Sequence, residues 1–252
     1  MSDSLGFALA IIFGELLPAA VGFYAAYWAF AIRRELVGRV YRSHALWLGV
    51  LCILIEVAKP FQSISSTNEI ISLVLNLFTI VLLAFVFAFI DSTVPVARLS
   101  DPLFRRILHW NRLRIALWCD LGLTAIFFVY ATLNPSFNAS VWALLGFPLV
   151  LLPFIFGAPA VLIGAGRSRD PVLRGSLKWF GAVLLLFLFT VLVSFVELAV
   201  IGISTYDSYY SYPALAFAIP AILGAYFLYR SVMSLVPMKR LSPLEVKARQ
   251  SV

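Results

Sequence analysis

The chain has 252 residues, 62% of them hydrophobic and only 12% charged, and its mean hydropathy is +0.98. A soluble domain carries about twice that share of charge, so lipid is the expected solvent and the class is a multi-pass membrane protein. The net charge of +7 calls for no nucleic acid, because its distribution follows the membrane, and two cysteines make no disulfide framework.

In chain order, seven apolar runs are candidates for membrane-spanning helices: Leu5–Ile32, Ala45–Phe61, Ile70–Ile90, Ile115–Leu133, Val141–Ala165, Leu177–Ile203 and Pro213–Leu235. The expected fold is therefore an all-α integral membrane protein, a seven-transmembrane-helix bundle forming a single domain over residues 1–252. The second run is short, and is expected to extend at either end or to tilt less than the others. Met1–Ser4 lacks the positive charge of a signal peptide. Cys52 and Cys119 both fall inside apolar runs and read as small buried residues.

Counting charge sets the direction. Eighteen of the nineteen lysines and arginines follow runs one, three, five and seven, and the segments on the other side hold none. The positive-inside rule puts the N-terminus outside and the C-terminus in the cytoplasm. Residues 236–252 then form a short basic cytoplasmic tail, and the plasma membrane is the expected location. Attraction to anionic inner-leaflet lipid adds to this asymmetry. The remaining cation, Lys59, lies near the outer end of run two.

Ionisable groups in hydrocarbon are costly and mark sites by default. Glu15 lies about 15 Å from the outer end of run one, at 1.5 Å per residue. Glu56 and Lys59 share one helix face at i and i+3. Asn76 is about two turns in from the outer end of run three, and Glu197 about 9 Å from that of run six. These five residues are the candidate ligand- or ion-binding set. Three carboxylates beside one cation favour a shared proton if they converge. The plainer reading is an interhelical polar clamp with Lys59 snorkelling outward. Pro18 and Pro60 each free a carbonyl one turn earlier. Run five holds Pro148, Pro153 and Pro159 and is expected to be kinked or broken.

On the inner side, Asp91, Arg98, Arg114 and Asp120 form a candidate cytoplasmic lock. Ser100-Asp101-Pro102 reads as a helix start, opening a short interfacial helix over Pro102–Trp110. His44 and His109 lie at the cytoplasmic edge and make no heme pair. Histidines and cysteines show no metal-site spacing. No hydrolase, metalloprotease or phosphate-loop motif occurs, and no lysine in run seven could hold retinal. No enzyme activity, no cofactor and no metal are expected. The expected function is that of a receptor or sensor with an outward polar pocket and a basic inner face for a separate protein partner. The alternatives are a proton-coupled solute or ion transporter, and an accessory subunit of a larger membrane complex. The oligomeric state is left open.

Overall fold

A computed structural model of the chain describes residues 9, 12–36, 39–64, 80–89, 110–134, 147–168, 170–201 and 213–237; of residues 40, 58–64, 110–114, 131–132, 147–148, 150, 153, 167, 191, 194–201 and 213–218 among them it describes the backbone alone. The described residues are helical throughout, with no strand. In chain order the helices are α1 (Ile12–Glu35), α2 (Arg39–Ile64), α3 (Ile80–Phe89), α4 (Trp110–Leu133), α5 (Phe147–Arg167), α6 (Pro171–Ile201) and α7 (Pro213–Met233).

Helix α1 opens with one π turn, Ile12–Leu16. Pro18 has no N–H to give to the carbonyl of Gly14, and the widened turn takes up the misfit. Beyond it, Pro18, Gly22, Ala25, Ala26, Ala29 and Ile32 form the buried stripe. Small residues at helical spacing let a second backbone come close, and α2 does. A methyl group on Gly49 of α2 would stand 3.2 Å from Ala29 and 3.0 Å from Phe30, while Gly22 faces Glu56. The two contacts run in opposite order along the helices, so α1 and α2 are antiparallel.

The short run expected over Ala45–Phe61 is extended at both ends, to Arg39 and Ile64. Its first turns are amphipathic: Tyr41, His44, Ala45 and Leu48 are buried, while Arg39, Arg42 and Ser43 are exposed. That pattern has the 3.6-residue period of a helix but too little hydropathy to register as an apolar run. Helix α6 likewise starts six residues before the expected Leu177, at Pro171. Asp170 is its N-cap, accepting the N–H of Val172 at 2.8 Å, and Pro171 takes the first helical position. Of the kink or break expected in run five, the break does not occur: α5 stays α-helical from Phe147 to Arg167 across Pro153 and Pro159. Of the expected interfacial helix, only Trp110 is described, and it opens α4.

Helix α4 lies against α5, α5 against α6, α6 against α7, α7 against α1 and α1 against α2. Helix α3 bridges this succession. Phe85 meets Trp47 of α2 at 5.4 Å, Phe87 meets Trp118 of α4 at 6.0 Å, and Phe89 meets Phe180 of α6 at 4.3 Å between ring centroids. The outer surface of the bundle is apolar: Ile126 of α4 is 69% exposed and Ile219 of α7 68%, among many others. Soluble monomers rarely expose apolar area so freely. Two stretches, Ile12–Glu35 and Pro171–Thr190, are long and apolar enough to cross a membrane by length and composition. Cys52 is buried as expected, but Cys119 is exposed. It shares the outward face of α4 with Trp118, Gly122, Leu123 and Ile126, so an apolar run does not by itself bury every member.

Candidate functional site

Glu56 is the centre of the outer candidate set. It is 1% exposed on α2, and its carboxyl group fills the space where a side chain on Gly22 of α1 would be. The glycine is therefore a matter of room: a methyl group there overlaps the carboxylate. From this level outward, Lys59 follows one turn up α2, about 4.5 Å further on. On α1, Glu15 lies seven residues before Gly22, about 10.5 Å further out. The antiparallel backbones thus set Lys59 at a height between the two carboxylates. The side chain of Lys59 lies outside the described residues.

Glu15 stands within the π turn, half-buried, and that turn rests on α7. Tyr24 of α1 stacks on Tyr229 of α7 at 5.9 Å. Helix α7, on which the π turn rests, carries an internal proline, Pro220. Two helices in contact, α1 and α7, therefore each carry a defect in the hydrogen-bond ladder, and the defect in α1 includes Glu15. Asn76 and the side chain of Glu197 lie outside the described residues. The structure packs Glu56 of α2 against α1, the helix that carries Glu15, at a different height from Glu15.

Of the inner lock, Asp120 is buried on α4, and neither of its carboxylate oxygens has a hydrogen-bond partner among the described residues. Asp91, Arg98 and the side chain of Arg114 lie outside the described residues. Thr124, one turn on, donates its hydroxyl to the Asp120 carbonyl at 2.8 Å.

A second buried polar group was not singled out in the sequence. His44 of α2, 2% exposed, meets Ser176 of α6, which in turn meets Ser231 of α7. The direction of each bond follows from counting hydrogens. Ser231 donates its one hydroxyl hydrogen to the Ser176 carbonyl at 2.8 Å. Its oxygen then accepts the hydroxyl of Ser176 at 3.0 Å, and Ser176 Oγ accepts from His44 Nε2 at 2.8 Å. Among the described residues no carboxylate stands beside the ring, and burial disfavours the charged imidazole, which favours the neutral form. Nδ1 is then a bare acceptor, buried and without a donor among the described residues. Phe89 covers the ring at 5.0 Å. The sequence did carry a signal: His44 falls three residues after Tyr41 and four before Leu48, on the buried face.

Nearby, Tyr41 donates its hydroxyl to Asp170 Oδ2, tying the start of α2 to the turn between α5 and α6. Arg174 closes that turn from the other side, its guanidinium donating to the Ser168 carbonyl at 2.6 and 2.9 Å. No group of three or more histidine, cysteine or acidic side chains that could hold a metal occurs among the described residues.

Fold and site together define a class: an all-α chain with an apolar exterior and a buried acidic residue at a helix seam. No family model, no curated protein and no solved structure matches it.

Proposed function

We propose that the chain is a seven-helix plasma-membrane protein of receptor or sensor type, N-terminus outside, with an outward pocket around Glu15, Glu56, Lys59, Asn76 and Glu197. Its output passes through the basic cytoplasmic face to a separate protein. The observation that carries this reading is the division of charge: eighteen of nineteen cations fall on one side, and the exception, Lys59, lies one turn from a buried carboxylate. The apolar exterior of the bundle supports the membrane part of the reading. The seam between α1 and α2, where Glu56 displaces any side chain at position 22, supports the pocket part.

The test is a pH titration of tryptophan fluorescence on the purified protein in detergent, between about pH 5 and pH 8. The wild type is expected to show a transition that Glu56→Gln and Lys59→Met shift or abolish. An unchanged transition in both variants removes the pocket from the reading.

A proton- or sodium-coupled transporter is the second reading. It is favoured by the π turn that holds Glu15 and by the proline inside the contacting helix α7, since interrupted helices serve transporters as ion sites. Uptake into proteoliposomes under an imposed proton or sodium gradient separates the two. A gradient-driven flux lost in Glu15→Gln selects transport, and its absence selects sensing.

A further inference from the structure

The inner ends of α6 and α7 carry a cation that the pocket does not use. Arg230, near the end of α7, lies over the Trp179 ring of α6 at 5.1 Å and near the Tyr226 ring at 5.9 Å. Trp179 itself meets Phe227 at 5.4 Å and Tyr226 at 6.3 Å, so the platform beneath the guanidinium is braced by a second helix. One N–H of Arg230 reaches the Tyr226 hydroxyl at 3.3 Å. A guanidinium has five N–H donors, and no acidic side chain takes the others among the described residues. The residue is exposed, and so is Lys178, next to Trp179 in the chain.

Two features select the occupant. The first is height: Trp179 lies two residues inside the expected start of run six, where tryptophan and tyrosine settle at the headgroup level. The second is charge: this is the end of the bundle that carries the chain's cations, facing the leaflet rich in anionic lipid. A guanidinium held by two rings has already lost much of its rotamer freedom, so binding costs less ordering. Its free edge is suited to two oxygens of one phosphate.

We propose that Arg230, on its Trp179–Tyr226 platform, binds the phosphate of an anionic phospholipid of the inner leaflet, with the exposed Lys178, which precedes Trp179 in the chain, adding positive charge at the same end of α6. The site rests on the membrane reading above and lies at the opposite end of the bundle from the pocket.

Native mass spectrometry of the full-length protein in detergent, with phosphatidylglycerol or phosphatidylcholine added, tests it. The wild type is expected to retain phosphatidylglycerol about fivefold better, the effect of one cation at a lipid surface. Arg230→Gln and Trp179→Leu should each remove that preference, while Arg34→Gln, at the inner end of α1, should keep it. Circular dichroism reports whether each variant is folded, and the two variants lie on different helices, so the loss of one fold leaves the other as a test. Equal retention of both lipids by the wild type, or an unchanged preference in a folded Arg230→Gln or Trp179→Leu, overturns the site. Displacement of the lipid by millimolar inorganic phosphate also overturns it, since the site is then one for free anions. Alkaline carbonate washing of membranes is the separate check on the membrane reading: release of the wild type would defeat that reading whatever the lipid preference.

Discussion

At the scale of single residues, Glu56 and Gly22 make one unit. Gly22→Ala puts a methyl group into the Glu56 carboxyl, and overpacking of this kind costs about 1–3 kcal/mol. Shortening the acid relieves the overlap, so Gly22→Ala/Glu56→Ala is expected to be less destabilised than the sum of the two single changes. A double-mutant cycle by thermal unfolding in detergent measures that coupling. Simple additivity would mean that the helices separate rather than clash. His44 gives a second prediction. Ser176→Ala removes both the acceptor of His44 Nε2 and the hydroxyl donated to Ser231, leaving buried polar atoms unsatisfied at about 1–3 kcal/mol. Ser231→Ala leaves the His44 bond in place and is expected to cost less.

Between elements, the turn from α5 to α6 is held at Asp170. One carboxylate oxygen caps α6 and the other receives Tyr41. Asp170→Ala therefore removes both a cap worth about 1 kcal/mol and the acceptor of the Tyr41 hydroxyl. Tyr41→Phe leaves the half-buried Asp170 within reach of solvent. The expected order of melting temperatures is wild type, Tyr41→Phe, then Asp170→Ala. If the two variants melt alike, the Tyr41 bond rather than the cap dominates.

The same element shows what the sequence could and could not tell. Asp170-Pro171 has the same cap-and-proline form as Asp101-Pro102, which was read as a helix start, so the true beginning of α6 was legible there. It was missed because hydropathy begins later, at Leu177. The polar first turns of α2 were missed in the same way: Arg39 and Arg42 dilute the hydropathy, while Tyr41, His44 and Ala45 keep the helical period. The break expected in α5, which does not occur, had a different origin. Each internal proline deletes one hydrogen bond, yet the helix carries on, because its other bonds and its neighbours α4 and α6 hold the backbone. The hydrogen-bonded chain from His44 through Ser176 to Ser231 depends on helices far apart in sequence, and no spacing rule within one helix reveals it. Glu56 was legible as an oddity, a carboxylate in an apolar run; that it faces a glycine was not.

For the whole molecule, the topology prediction is the most direct. In a background of Cys52→Ala and Cys119→Ala, Ser2→Cys should react with a membrane-impermeant maleimide on intact cells. Ser251→Cys should react after permeabilisation alone. Labelling of both in intact cells, or of neither, contradicts the charge count. The apolar exterior agrees with a lipid setting for the bundle as a whole, and in the proposed orientation the two candidate sites divide the molecule by height: the acids of the pocket toward the outside, the guanidinium platform toward the inside.

The hydrogen-bonded chain from His44 through Ser176 to Ser231 also has a bearing on biosynthesis. Its members enter the membrane in the order α2, α6, α7, so the histidine waits through most of translation for its partner. Until α7 arrives, Ser176 has a backbone carbonyl and a hydroxyl facing the gap, and α1 has one flank bare where Tyr229 will stack. A chain released before residue 213 therefore lacks the α7 hydroxyl that Ser176 bonds and the ring on which Tyr24 stacks.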